Sequence, residues 1–189
     1  MSSREGGRKI ITYISTSADG FIARTDGAVD WLDRPRPKGN YGIGDFMRCI
    51  DTILWGHKTF DLALKMDASG SWLGFVPKAK NYVFTHRPEA FSMPGVEFVN
   101  QPVGEFARRR RSERGKNIWM MGGGGIIASF LDAGEMDEFI IHVVPVFIGE
   151  GIPLIAPRQR TVPLKLLSSR RFADGVVRLH YRVGQQKQA

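Results

Sequence analysis

The stretch from Asn117 to Ala156, NIWMMGGGGIIASFLDAGEMDEFIIHVVPVFIGEGIPLIA, limits what this chain can fold into more than any other. It opens with a short apolar strand, Ile118-Trp119-Met120-Met121, and four glycines follow, Gly122 to Gly125. The run Ile126-Ile127-Ala128-Ser129-Phe130-Leu131 then has the apolar spacing of a helix's inner face. Glu138 to Phe147, EFIIHVVPVF, is rich in β-branched and aromatic residues and predicts a strand buried on both faces. Strand, glycine turn, helix and strand make one βαβ unit, with the glycines at the carboxyl end of its first strand. Open α/β sheets bind ligands there: backbone without side chains can approach a pyrophosphate, and the helix N-terminus offers unpaired N–H groups.

Around this unit the pattern continues. Lys9 to Ser15 reads as a strand, and Ser17-Ala18-Asp19-Gly20 turns it into Phe21-Ile22-Ala23. Asp33 to Gly44, with its prolines, glycines and basic residues, reads as a loop that could lie over a cleft. Asp45 to Ile50 has helical spacing, Asp51 to Trp55 is a strand, and Gly56-His57-Lys58-Thr59-Phe60 leads into a helix through Leu64. Met66 to Lys80 is a loop, Asn81 to Phe84 and Val96 to Val99 are strands, and the chain closes with two antiparallel strands, Leu164 to Phe172 and Val176 to Val183. The fold class is therefore α/β: a mostly parallel central sheet with helices on both faces and a C-terminal antiparallel hairpin. One domain over residues 9–183 is expected, between disordered tails at 1–8 and 184–189.

The composition is that of an ordinary soluble chain, and no apolar run reaches the roughly 18 residues of a membrane span, so no membrane partner is expected. The single cysteine, Cys49, excludes an internal disulfide and a cysteine-cluster metal site, which points to a reducing cytoplasm. A net charge of +8 favours anionic partners. Its densest run, Arg108 to Arg111, reads as the solvated face of a helix. Without aromatic stacking partners nearby it does not argue for nucleic acid.

Three turns fall at the ends of predicted parallel strands: Gly56 to Thr59, Thr85-His86-Arg87, and Gly122 to Gly125. Together they offer N–H groups and hydroxyls for a pyrophosphate, and cations for a further phosphate on a ribose. The glycine run is neither GxGxxG with a later acidic residue nor a Walker loop.

GHKTF, THRP, MMGGGGIIASFL and DEFIIHVVPVFIGEGIPLI, in that order, resemble the dihydrofolate reductase-like family. With YISTSADGFIA at the start and LKLLSSRRFADGVVRLHYRV at the end, the chain is most similar to the branch containing the riboflavin-biosynthesis reductase domain, over residues 9–183. The resemblance implies NADPH as hydride donor to a small heterocyclic or related substrate. It would place Ser15 and Ile22 beside the nicotinamide, and Gly56, His57, Lys58 and Thr59 at the pyrophosphate and 2′-phosphate. Thr85 and Arg87 would lie by the adenosine. Met121, Gly122, Gly123, Gly124, Gly125 and Ile126 would complete the cofactor side, where the family often has a cis glycine pair.

On the substrate side, Asp45 lies near the carboxylate that polarises the pterin in the folate enzymes, although alignment through the loop puts Gly42 there; Asp45 also reads as a helix N-cap. Tyr13 stands where the riboflavin reductases carry a phosphate-binding lysine. His142 is either a satisfied core histidine or the proton source. No His-x-Glu or Cys-x-x-Cys deaminase signature accompanies the reductase pattern. The other reading is a non-catalytic NADPH-binding structural or sensor protein. Alternate apolar positions in the terminal hairpin, with the pairing habit of this branch, imply a homodimer.

Overall fold

The structure is a computed structural model and describes residues 7–66 and 76–184. In chain order the strands and helices are β1 (Ile10–Thr16), β2 (Phe21–Ala23), α1 (Ile43–Arg48), β3 (Ile50–Gly56), α2 (His57–Met66), β4 (Lys80–Phe84) and β5 (Val96–Val99). Then follow α3 (Val103–Ser112), β6 (Asn117–Gly122), α4 (Gly124–Asp132), β7 (Glu138–Val143), β8 (Ile152–Pro153), β9 (Leu164–Arg171) and β10 (Val177–Val183). Eight strands form one sheet in the order β5-β4-β3-β6-β1-β7-β10-β9, and β2 pairs with β8 apart from it. All neighbours from β5 to β7 are parallel; β10 is antiparallel to both β7 and β9.

Strand alternation sorts the core into two layers. Ile10, Leu54, Tyr82, Ile118 and Met120 point to one face, where Phe106 of α3 and Ile127 and Phe130 of α4 cover them. Their neighbours Ile11, Ile53, Val83 and Trp119 point to the other face, against Phe46 of α1 and Phe60 of α2. A period of two in the strands meeting apolar stripes on the helices gives the expected α/β sandwich.

Several expectations change in detail. β6 and β7 flank β1 rather than pairing, so the central βαβ unit crosses over one strand. The strand expected to reach Phe147 stops at Val143: Pro145 has no N–H for a ladder, and Phe147 is 78% exposed. The helix expected from Asp45 begins at Ile43, and Ile50 belongs to β3. Arg8, expected in a tail, is buried and donates to Thr52 Oγ1 (2.6 Å) and the Lys116 carbonyl (2.6 Å), besides pairing with Asp51. Gly184, also expected in a tail, donates its N–H to the Pro163 carbonyl at 2.8 Å. Residues 1–6 and 185–189, and Trp72 with most of the 66–80 loop, lie outside the described residues.

The arginine run is only half a solvated face. Arg108 and Arg109 are exposed, whereas Arg110 lies over Tyr82 and Phe106 and donates to the Tyr82 hydroxyl at 2.8 Å. Arg111 reaches Glu135 (3.2 Å) and Asp137 (2.6 Å). A ten-residue helix seated on the sheet presents about half its circumference to the core, so consecutive arginines cannot all face water.

Candidate functional site

The carboxyl ends of β4, β3 and β6 lie side by side, which brings the three predicted turns to one edge of the sheet. The Gly122-Gly123 peptide is cis. Gly123 is where side chains from different elements converge: a Cβ there would stand 2.7 Å from Thr59 Oγ1 and 4.0 Å from Ile22 Cδ1. The same added atom at Gly56 would meet Ile126 at 3.2 Å and the Gly123 nitrogen at 3.4 Å. Gly125 is exposed, with nothing within 4 Å of its would-be Cβ. This bare backbone opens onto the N-termini of α2 and α4, a cradle whose donor set suits the pyrophosphate of a dinucleotide.

The surrounding groups are less uniform than the spacing suggests. Lys58 and Arg87 are exposed and have no ion-pair partner among the described residues, so both could meet a phosphate. Thr85 is half-buried and its hydroxyl accepts from the Arg87 N–H at 3.4 Å. His57 is drawn aside: its Nδ1 lies 3.2 Å from Asp61 and its ring packs against Phe91, 4.4 Å between centroids. Its Nε2 is buried with no hydrogen-bond partner among the described residues, and a bound phosphate oxygen would satisfy it. Met121 is half-buried and packs with the Trp119 layer, away from the open backbone.

Across β1 from the cradle is a cavity of about 140 Å³. Tyr13 and Ser15 of β1 and His142 and Val144 of the β7 segment form its floor, with Val176 at the side. Leu32, Arg34, Arg36, Asn40, Tyr41 and Ile43 close it from above. Cradle and cavity adjoin, since Ile14 approaches the would-be Cβ of Gly122 at 3.7 Å while the next residue, Ser15, lines the cavity.

The ceiling of the cavity is an unusual turn. Gly39, Asn40, Tyr41 and Gly42 all have positive φ, at +82°, +42°, +59° and +92°. Asparagine tolerates left-handed backbone, but at Tyr41 it costs on the order of 1 kcal/mol and needs outside support. Two bonds supply it. The Tyr13 hydroxyl donates to the Tyr41 carbonyl at 3.2 Å, and the Tyr41 hydroxyl donates to Asp174 Oδ2 at 2.5 Å. Arg34 also donates to the Asp174 carbonyl at 2.5 Å, tying the ceiling to the β9–β10 turn.

His142 is 1% exposed, and its ring lies 4.6 Å from that of Tyr13 and 5.5 Å from that of Tyr41. Burial pushes its pKa down to about 4, with the Arg178 charge pressing the same way; the Ile14 and Tyr41 backbone offsets part of this. Nε2 has no hydrogen-bond partner among the described residues. The imidazole is thus neutral at pH 7 and holds one ring nitrogen free for a ligand. Burial also pushes the Tyr13 phenol up to about 12, so it stays protonated. His142 is thus buried like a core residue, yet not fully satisfied there, and it lines the cavity.

Asp45 is not on the cavity wall. It sits in the first turn of α1 with its side chain 80% exposed and paired with Arg48, and Gly42, not Asp45, precedes the helix. Sequence reasoning missed Arg34, Arg36, Tyr41 and Arg178; the basic, glycine-rich composition of the 33–44 loop was the available signal.

Comparison with known proteins agrees with this layout. Residues 107–178 match the RibD C-terminal domain. The uncharacterised protein YwjB of Bacillus subtilis is 36% identical over 175 residues, covering 92% of this chain and 97% of its own. A second uncharacterised protein of that organism, YyaP, is 32% identical over 190 residues, covering 92% and 94%. A solved structure from Shewanella sp. PV-4, provisionally assigned to riboflavin biosynthesis, superposes with a TM-score of 0.78 at 25% identity, covering 94% and 99%. The Thermotoga maritima diaminohydroxyphosphoribosylaminopyrimidine deaminase/5-amino-6-(5-phosphoribosylamino)uracil reductase superposes with a TM-score of 0.68 at 18% identity. There 93% of this chain covers 56% of the larger protein, a likeness of fold. Sheet order, glycine cradle and adjoining cavity define a dihydrofolate reductase-like α/β domain. The chain belongs to the RibD C-terminal domain family.

Proposed function

We propose that this protein is an NADPH-dependent reductase that delivers hydride to a small, flat heterocycle of the pterin or aminopyrimidine kind, or to a related carbonyl or imine. The observation that carries the reading is the meeting, across one strand, of a bare glycine cradle with a cavity holding a neutral, unpartnered imidazole nitrogen. Gly56, Thr59, Gly122, Gly123 and Gly125 would hold the pyrophosphate, and Ser15, Ile14 and Ile22 lie where cradle and cavity join. NADPH, when bound, supplies the hydride. The chain's own part is to orient the acceptor between Tyr13 and Tyr41, to exclude water, and to offer a hydrogen bond from His142, a group that replaces Asp45 in this role. A screen of NADPH oxidation against pterins, aminopyrimidines and simple carbonyls tests the reading; NADPH binding with no acceptor turned over would count for a sensor instead.

Cofactor choice gives a sharper test. Lys58, Arg87 and the free His57 Nε2 stand ready for a 2′-phosphate, so NADPH should bind at least about tenfold more tightly than NADH, roughly 1.4 kcal/mol. Equal affinities in calorimetric titrations would remove these residues from the cofactor site.

The same proposal includes a homodimer. All eight residues of the edge strand β9 are exposed, and Leu164 and Leu166 are 48% and 51% exposed, on the face they share with Tyr181 and Val183. An unprotected apolar edge invites pairing, and a second copy of β9 across a two-fold axis covers it in a closed assembly. Light scattering at micromolar concentration should give twice the 21.2 kDa chain mass, and Leu166→Glu should shift it to the monomer. A monomeric wild-type mass would overturn this.

A further inference from the structure

His142 stands between two cross-strand partners, Ser15 on β1 and Arg178 on β10. Residues paired in this way project from the same face, with Cβ atoms about 5 Å apart. Ser15 shares the cavity floor with His142, whereas Arg178 is not on the cavity wall. Its guanidinium instead reaches under the ceiling turn, where Nη1 lies 3.5 Å from the position a Cβ on Gly42 would take. Arg178 therefore sits beside the imidazole on the side away from β1.

A cation in that place is held at a cost. Arg178 is half-buried and has no carboxylate partner among the described residues. Its other cross-strand partner is Arg170, a like-charge pair that ordinarily weakens a sheet. The groups around the imidazole do not compensate. Tyr13 and Tyr41 face it with their rings, and Arg34 and Arg36 bring further positive charge to the cavity wall. Asp174 is engaged by Tyr41 and Arg34. Farther along the same face of β7, Glu138 is held by Lys9 at 2.7 Å and His180 at 2.9 Å. A positive charge beside an imidazole disfavours its protonation, and here nothing of opposite sign cancels the effect.

We infer that Arg178 is a positioning residue: its charge, fixed by the sheet register directly opposite His142, keeps that imidazole neutral for whatever ligand the cavity receives. Burial is the first cause of the ring's low pKa, and the Arg178 charge is the second of the causes that lower it. The two differ in what a ligand does to them. Burial weakens as a cause whenever water or a polar ligand enters the cavity. The charge on β10 stays, because strand pairing and not the cavity's contents holds it there. His142 thus meets a ligand as a neutral hydrogen-bonding group in the open and the filled cavity alike. The inference rests on the proposed function only for the use made of the ring; its charge state belongs to the free protein.

The test is an NMR titration of the full-length protein carrying 13C-labelled histidine, with no ligand present. The chain has four histidines, and the signal missing from His142→Leu identifies His142. In the wild type that signal should titrate with a midpoint of about 4. Arg178→Gln should raise the midpoint by about half a pH unit or more, while Arg178→Lys, which keeps the charge, should hold it within about 0.2 of the wild type. Arg170→Gln, one strand farther out on an exposed edge, should also leave it within about 0.2. An unchanged midpoint in Arg178→Gln would overturn the inference by making burial sufficient. An equal rise in Arg178→Lys would overturn it by assigning the effect to packing. Arg178→Met is a second neutral variant with the same expectation, and failure of both neutral variants to fold at pH 7 would make Arg178 a structural residue instead. NADPH oxidation plays no part in this titration, so a protein that reduces nothing can pass it and a working reductase can fail it.

Discussion

Gly124→Ala should destabilise the protein by about 2–3 kcal/mol, while Gly125→Ala, one residue on, should change stability by less than about 0.5 kcal/mol. A Cβ at Gly124 would stand 2.4 Å from the Pro153 carbonyl oxygen and 3.3 Å from the Ala156 nitrogen. Both are backbone atoms, so relief requires moving a chain segment rather than rotating a side chain. That segment is stitched in place: the Ala156 N–H donates to the Gly124 carbonyl at 3.0 Å, and Pro153 pairs with Phe21. Displacing it would also drag on β2, which carries Ile22 to the cradle. At Gly125 the same added atom meets nothing within 4 Å, and alanine is the better helix former. Chemical denaturation of the two variants decides the matter, and equal stabilities would mean that α4 does not depend on this close approach.

Acid should also weaken the fold through His142, by up to about 3 kcal/mol between pH 7 and pH 4. Its folded pKa is about 4, against an ordinary 6.5. Between those values the unfolded chain takes up a proton that the folded chain refuses. Stability from this group is therefore complete above about pH 6.5, declines as the pH falls, and levels off near pH 4. Replacing the imidazole removes the titration, so His142→Leu should show a shallower fall in unfolding free energy over that window, whatever its stability at pH 7. Identical slopes in wild type and variant would show that the ring is accessible to protons in the folded state. The same argument makes turnover insensitive to His142 titration from pH 5.5 to 8, because a neutral imidazole is the only form present there.

Period and punctuation carried most of the fold. Apolar alternation in segments such as IITYIS and NIWMM, with glycines at the ends, marks strands whose partners are local properties of the sheet. Strand order is different: nothing in Ile10–Thr16 says that it slips between β6 and β7, since that choice depends on how two crossovers pack. The glycine cradle was legible because only bare backbone permits the approach of Thr59 to Gly123. The ceiling was not. Its four left-handed residues include Tyr41, which local preference steers away from that region and which long-range bonds to Tyr13 and Asp174 hold there. Asp45 misled because proximity in sequence to a helix start says nothing about which way a carboxylate faces; here it faces solvent and Arg48.

The position of β1, between β6 on one side and β7 on the other, has a consequence for how such a protein can change. Most of what would grip a dinucleotide comes from segments on the β6 side, at the ends of β3, β4 and β6, with Ile22 of β2 and Ser15 of β1 beside them. What would select the acceptor comes from β1 itself, through Tyr13 and Ser15, and from the other side: His142 of β7, Val176 beside the hairpin, and the 30–43 segment above them. The two halves share little beyond the strand between them. Substitutions at Tyr41 should thus reshape the cavity while leaving the glycine cradle intact. A chain laid out in this way is a ready starting point for laboratory evolution, in which the hairpin and ceiling are diversified together and the glycine run is left untouched.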